Sequence, residues 1–210
     1  MKKIIFDLDN TLILNDVSFV NYYVNALEDL GYESSLEKAK EIYYVIDEYD
    51  NNVKLYQRET LIEFINKQLN QNYSIKLVDR INYYIGKYWC EKNEEKKDVL
   101  DYLSKKYDLY VYTNWFTDCQ KERLKNSGIL NYFKEVVGSD LITKKPYKEG
   151  FMYFTKDCKP EECMMIGDSI KNDYEGAVNV NMKVILYDYN NQYENKYNKI
   201  NSFKELKNIL

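Results

Sequence analysis

Two hydrophobic periods alternate along the chain, and the points where one gives way to the other divide it. The run Ile4-Ile5-Phe6 is short, continuous and flanked by polar residues, which predicts a buried strand. From Val17 to Leu30 the apolar positions Phe19, Val20, Tyr23, Val24 and Leu27 recur at helical spacing, and Gly31 supplies a stop. The same period runs over Leu36 to Tyr49, Glu59 to Leu69 and Ile75 to Trp89, without proline and without strand-like alternation. A four-helix insertion from about Asp16 to Cys90 follows. Beyond Glu94 helices are predicted over Lys96 to Tyr107, Asp118 to Asn126, Lys148 to Cys158 and Lys171 to Val180. They alternate with strands over Leu109 to Tyr112, Glu135 to Val137, Cys163 to Ile166 and Val184 to Tyr187, and Phe203 to Leu210 closes the chain as an amphipathic helix. This alternation predicts an α/β fold built on a doubly wound parallel sheet. Asn181 stands where a helix must stop before the last of these strands, and asparagine tolerates the left-handed conformation better than other non-glycine residues.

The polar residues that follow the strands carry the chemistry. Asp7 and Asp9 lie two apart at the end of the first strand, so their side chains face one site, where two carboxylates repel unless a cation or a shared proton compensates. The spacing points to a metal, to acid/base work, or to both; a strand running into an Asp/Asn-rich turn is the plainer reading. That reading weakens further along. Thr113-Asn114 and Gly167-Asp168-Ser169 also end apolar runs, and Lys145 sits directly before Pro146. In an open parallel sheet the carboxyl ends of the strands share one edge, and ligands bind there.

Taken in this order, Asp7-Leu8-Asp9-Asn10-Thr11, Thr113-Asn114, Lys145-Pro146 and Gly167-Asp168-Ser169-Ile170-Lys171-Asn172-Asp173 resemble the four motifs of the haloacid dehalogenase-like hydrolase superfamily. The resemblance spans most of the chain. It implies a Rossmann-like core from residues 1–15 and 91–210, with a helical cap at 16–90 over the active site. It also implies that Asp7 is a nucleophile that becomes an aspartyl-phosphate, and that Asp9 protonates the leaving group and then activates water. Mg²⁺ would be held by Asp7, Asp168 and the backbone carbonyl of Asp9, since this ion takes a few carboxylates plus water and substrate oxygens. Thr113 and Asn114 would donate to phosphate oxygens, and Lys145 would neutralise charge on the phosphate and on Asp7. Thr11 and Asp173 would support the site from behind, Asp173 by holding a water or Lys145, although an acid in the first turn of a helix is also an ordinary feature. Ser169 is equally an ordinary residue at a helix start.

The carboxylate at Asp9 separates branches of the superfamily, because dehalogenases resemble this pattern but lack it, an expelled halide needing no proton. Transport ATPases of the family would need membrane helices, which the sequence lacks, whereas phosphomutases share all four motifs and a helical cap. A non-hydrolytic binding or regulatory module on the same fold would usually have lost Asp7, Asp9 or Lys145, and all three are present. Two unrelated readings fail. A calcium loop would need glycine at Leu12 and an acid at Ser18, and a phosphoreceiver domain has no long insertion. The segment from Thr113 to Leu124 resembles the nucleotidase branch except at Trp115, where many relatives carry glycine. That ring could stack on a nucleobase, or simply pack under the helices.

Composition narrows the remaining choices. There is no histidine, which removes Ser-His and Cys-His nucleophilic chemistry and leaves carboxylates to do acid/base work. Cys90, Cys119, Cys158 and Cys163 form no Cys-x-x-Cys pair, so neither a zinc site nor a disulfide framework is indicated. A net charge of -4 gives no blanket attraction to nucleic acid, and no apolar stretch is long enough to span a bilayer. The expectation is a cytoplasmic enzyme whose partner is a small phosphate ester, not a nucleic acid polymer or a membrane. Shielding such chemistry from water calls for a moving lid, with Asn15-Asp16 and Cys90 to Glu94 as the natural hinges.

Overall fold

The computed structural model describes residues 1–14 and 19–210. Its strands are β1 (Lys3–Phe6), β2 (Asp108–Tyr112), β3 (Glu135–Val137), β4 (Cys163–Gly167), β5 (Lys183–Tyr187) and β6 (Lys199–Ile200). They form a parallel sheet in the order β3-β2-β1-β4-β5-β6. β1 is central, with Phe6 registered against Val111 on one side and Ile166 on the other. Every residue of β1 is buried, Lys3 included, which is why Ile4-Ile5-Phe6 reads as a continuous apolar run instead of alternating.

Each face of the sheet carries its own core. Ile4, Phe6, Val111 and Ile166 pack with Leu100 and Leu103 of α5 (Glu94–Ser104) and with Phe203 and Leu206 near the C-terminus. Ile5, Tyr112 and Met165 face Phe151, Phe154 and Ala177 on the opposite side. The order of strands reverses direction next to β1, between β2 and β4, and this switch point opens a crevice at the carboxyl edge.

The inserted segment forms α1 (Val20–Asp29), α2 (Leu36–Asn52), α3 (Arg58–Leu69) and α4 (Lys76–Tyr88). The Ser35 hydroxyl caps α2 by accepting from the Lys38 amide at 3.1 Å, and Gly31 ends the preceding segment at φ +70°. Ala26, Leu27, Ile42, Leu61, Ile65, Leu77 and Ile81 make a separate apolar cluster, which also takes in Phe116 and Cys119 from the α/β part. α4 lies along α6 (Thr117–Asn126), where a Cβ on Gly86 would sit 3.2 Å from the Glu122 Cβ. The Asn126 side-chain amide donates to the Gly86 carbonyl at 3.0 Å across this contact. A second seam joins the end of α2 to the loop after β3: the Tyr56 amide donates to the Ser139 carbonyl at 2.7 Å, and Lys144 pairs with Asp50 at 2.7 Å.

Several expected elements are reshaped by packing. The helix expected over Lys148 to Cys158 stops at Met152 as α7 (Lys148–Met152) and tightens into a 3₁₀ turn, Tyr153–Thr155, which drives Phe154 into the core beside Tyr112. The helix expected from Lys171 opens with a π-type turn, Ile170–Glu175, before α8 (Gly176–Val178). Tyr174 donates to the Ser169 carbonyl five residues back at 3.1 Å, and the wide turn keeps Asp173 inside. At the C-terminus a tight turn, Phe203–Glu205, precedes α9 (Leu206–Ile209). Asn181 is left-handed, at φ 61°, as its position suggested. β6 has no counterpart among the expected strands, because two residues are too few to show a period.

Of the connections proposed as hinges, Asn15-Asp16 lies outside the described residues, as do the helix start at Val17 and the boundary at Asp16. The other, at Cys90 to Glu94, is anchored by Glu91. Its carboxylate accepts from the Leu14 amide and the Asn93 amide group, both at 2.8 Å, and from Lys96 at 3.4 Å. Burial alone would raise the Glu91 pKa, but bonds from Asn93 and Leu14 and the Lys96 charge outweigh it and hold the group below its usual value. A depressed carboxylate stabilises the fold above its unfolded pKa, here 4.5, and that contribution is lost as pH falls through the folded pKa. Glu91→Gln is therefore expected to lower stability by about 1.5 kcal/mol at pH 7, in the range for charge-assisted bonds. The difference from wild type should shrink as pH falls below 4.5 and through the folded-state pKa, as measured by denaturant titration.

Candidate active site

Four loops at the carboxyl edge bring the residues together. The turn after β1 carries Asp7 to Ile13, with the Leu8 carbonyl accepting from Leu12 and Ile13 at 2.9 Å and Asn10 in the left-handed region at φ 60°. β2 delivers Thr113 and Asn114, the loop after β3 delivers Lys145, and β4 delivers Asp168 and, through the π-type turn, Asp173. Asp7, Asp9, Thr113, Asn114, Lys145, Asp168 and Asp173 all line one cavity of about 260 Å³.

Lys145 is the electrostatic centre of this cavity. Its Nζ reaches Asp7 Oδ1 at 2.5 Å and Asp173 Oδ1 at 2.6 Å, with all three side chains buried. The other Asp173 oxygen accepts from the Ser169 amide at 3.0 Å. A Cβ on Gly167 would collide with the Asp173 carboxylate, so glycine is required before Asp168. Carboxylate oxygens of Asp7, Asp168 and Asp173 lie within 4.8 Å of one another. Burial first pushes the Asp7 pKa well up; Lys145 opposes this, while Asp173, Asp168 and Asp9 add to it. Burial, then Asp173, likewise push Asp168 up to about 6. Burial would lower Lys145, yet Asp173 and Asp7 more than offset it and hold its ammonium above the usual lysine range. One lysine does not neutralise three crowded carboxylates. Hard oxygen donors at this spacing fit a small divalent cation, which would supply the missing charge.

The remaining expected residues occupy more specific places than their spacing implied. Asn114 clasps the Lys145 backbone, donating to its carbonyl at 3.0 Å and accepting from its amide at 2.8 Å, which leaves one amide hydrogen for a ligand. Thr113 Oγ1 accepts from Gln120 at 2.8 Å, so its own hydrogen stays available. Thr11 is fully buried, and its hydroxyl has no partner among the described residues. The Asp9 carboxylate turns to Arg123, whose Nη2 lies 2.7 Å from Oδ1. Trp115 packs under the helices, as the plainer reading had it: its indole N–H donates to Asn82 Oδ1 at 2.7 Å, and its ring meets Tyr56 edge-on. The ring also lines a second cavity of about 350 Å³ between the insertion and the sheet edge, together with Phe19, Tyr23, Tyr43, Tyr56 and Trp89. Asp9, Asn114 and Asn172 line both cavities, which makes them neighbouring compartments.

Gln120, Arg123 and Asn172 were not singled out from the sequence. Gln120 and Arg123 leave a trace there, being polar at inward positions of α6 that its period would assign to apolar residues. Asn172 lies inside the fourth motif but has no feature marking it from its neighbours.

The family model for haloacid dehalogenase-like hydrolases matches residues 4–187. The chain belongs to this family. Among curated relatives, pyrimidine 5'-nucleotidase PynA of Streptococcus pneumoniae is 27% identical over 199 residues, covering 89% of this chain and 83% of that protein. Glyceraldehyde 3-phosphate phosphatase of Pyrococcus furiosus is 28% identical over 200 residues, with 90% and 81% covered. The structure of the putative hydrolase YfnB of Bacillus subtilis, described as bound to magnesium and revealing interdomain movement, aligns with a TM-score of 0.70 at 21% identity, covering 100% of this chain and 98% of that one. That likeness establishes the shared fold. Among the described residues no helix is long and apolar enough to cross a membrane.

Because Asp7 is pushed up by burial and by its acidic neighbours, its ionised form opposes folding at neutral pH when no cation is bound. In chelator, Asp7→Asn should therefore raise the melting temperature, by about 2 to 4 °C per kcal/mol relieved. Lys145→Met should act in the opposite direction, since stripping a buried ion pair of one partner costs about 3 to 5 kcal/mol. Thermal denaturation of the two variants checks both signs, and shifts in the same direction would contradict this account of the cluster.

Proposed function

We propose that this family member is a magnesium-dependent phosphoric monoester hydrolase that works through an aspartyl-phosphate on Asp7. The observation that carries the proposal is the buried Lys145 bridge between Asp7 and Asp173, with Asp168 beside it and Asp9 at the boundary to the aromatic cavity. Asp7, Asp168 and the Asp9 carbonyl would hold Mg²⁺, which when bound lets an anionic nucleophile approach an anionic phosphate. Residues 16–90 would act as the cap, and 1–15 with 91–210 as the catalytic core.

The steps follow from the residues. A phosphate monoester enters with its phosphoryl group in the smaller cavity, where Lys145, Thr113 and the free Asn114 hydrogen receive its oxygens. An Asp7 carboxylate oxygen attacks phosphorus, the bond to the leaving oxygen breaks, and protonated Asp9 gives that oxygen its proton. Asp9, now ionised, takes a proton from water as the water oxygen attacks phosphorus, and the bond to Asp7 breaks. Phosphate departs, and both residues return to their starting states.

The larger cavity suits a flat leaving group. Aromatic faces favour stacking, and Trp115 is held rigid by Asn82 and Tyr56, so ordering it on binding costs little. The names of the relatives, a pyrimidine nucleotidase and a triose phosphate phosphatase, support a small phosphate ester, and the cavity lining favours nucleoside monophosphates. A cytoplasmic location belongs to the same proposal, as the place where such substrates occur.

Hydrolysis is expected to require Mg²⁺ and to be abolished in Asp7→Asn, whose amide is neither a nucleophile nor a good ligand. Undiminished turnover by the folded variant, or full activity in chelator, would overturn the mechanism, whereas no turnover of any phosphate ester by the wild type with Mg²⁺ would make a binding module the better reading. For the substrate, Trp115→Ala should lower kcat/KM for nucleoside monophosphates relative to small acyclic phosphates by about 5- to 150-fold, equivalent to the 1 to 3 kcal/mol of base stacking. An unchanged ratio in the folded variant would remove Trp115 from substrate recognition.

A further inference from the structure

Arg123 is the largest fully buried side chain among the described residues, and burying a guanidinium costs several kcal/mol unless its surroundings repay it. Its surroundings are specific. Nε donates to the Trp89 carbonyl at 2.9 Å, Nη1 donates to Gln120 Oε1 at 2.8 Å, and the guanidinium carbon stands 4.4 Å from the Trp89 ring centre. Gln120 in turn donates to Thr113, at the phosphate-facing end of β2. The remaining nitrogen, Nη2, meets Asp9 Oδ1 at 2.7 Å without hydrogen-bond alignment, an ion pair in the state where Asp9 has given up its proton, while the other bonds fix the guanidinium.

The same arginine touches the insertion at its most informative point. Trp89 ends α4, its indole N–H donates to the Leu14 carbonyl at 3.1 Å, and its ring stacks on Phe19 at 5.5 Å. Chain entering the insertion and chain leaving it therefore meet at Trp89. A displacement of the insertion would carry the Trp89 carbonyl away from Arg123 and loosen the hold on Asp9.

We propose that Arg123 is a positioning residue for Asp9, fixing its carboxylate at the boundary between the two cavities and making that placement depend on the docked insertion through Trp89. The inference rests on Asp9 acting as the acid that protonates the leaving group. The Asp9 side chain is 41% exposed, so without Arg123 its carboxylate would be free to sample rotamers that turn away from the leaving oxygen.

The test compares an aryl phosphate, p-nitrophenyl phosphate, with an alkyl phosphate such as glycerol 3-phosphate or a nucleoside 5'-monophosphate, using full-length protein with Mg²⁺. An aryl leaving group departs with little help, whereas an alkoxide needs the proton. Arg123→Met should lose about 10- to 100-fold more kcat on the alkyl ester than on the aryl ester, a part of the roughly 10²- to 10⁴-fold that general acid catalysis contributes, with KM little changed. Arg123→Lys should fall between the two. Asp9→Asn serves as the reference and should show the same selectivity. If Asp9→Asn is selective and Arg123→Met loses equally on both esters, the positioning role is overturned and the acid role stands. If Asp9→Asn itself is unselective, the acid role fails, and the inference fails with it. Should Arg123→Met not fold, Gln120→Leu removes one support of the guanidinium while keeping its charge, and an equal loss on both esters would again overturn the proposal.

Discussion

The interaction on which the rest of the site depends is the contact of the Lys145 ammonium with two buried carboxylates at the switch point of the sheet. Three acidic groups cannot share that space at neutral pH with one cation among them, and the strain appears as upward pKa shifts in Asp7 and Asp168. The surrounding structure is arranged to enforce the crowding. Glycine at 167 lets Asp173 in, the π-type turn points it inward, and the Asn114 clasp holds the Lys145 backbone in register with β2. A site held in this state is short of positive charge, which is the condition under which a divalent cation and an incoming phosphate are bound together.

The insertion adds what a sheet edge cannot provide alone. Four helices docked along α6 and against the loop after β3 bring an aromatic wall to the sheet edge, which in the proposed function shields the Asp7 nucleophile from water. The apolar cluster of the insertion runs without a break into Phe116 and Cys119, so the α/β part supplies a share of its core. In the proposed function, specificity and shielding come from the same surface. Trp89 marks the point where that surface meets the acid end of the site through Arg123.

Much of this was legible in the sequence because the informative positions are local. Strand ends followed by Asp7, Asp9, Thr113, Asn114 and Asp168 announce an edge, since a buried parallel strand reads as a plain apolar run with an abrupt polar end. The helical period of the insertion was equally plain. The elements that escaped are those decided by contacts distant along the chain. The helix after Lys148 breaks because Phe154 must reach Tyr112, a partner in another strand, and β6 exists only because Lys199–Ile200 pair with β5. Asp173 shows the limit within the site: its place in a helix first turn gave two readings of similar weight, and only the 2.6 Å contact to Lys145 distinguishes them. Arg123 shows it more sharply, because a charged residue on a helix is ordinarily solvated, and its burial depends on Trp89, 34 residues earlier.

The central claim is that phosphate is transferred to the Asp7 side chain. Rapid quenching of the enzyme during turnover with Mg²⁺, followed by borohydride reduction and peptide mass analysis, measures this directly, because reduction converts an aspartyl-phosphate to homoserine. The account predicts homoserine at position 7 and unmodified aspartate at positions 9, 168 and 173. Modification at one of those residues instead, or phosphate release with none of the four converted during steady turnover, would contradict it.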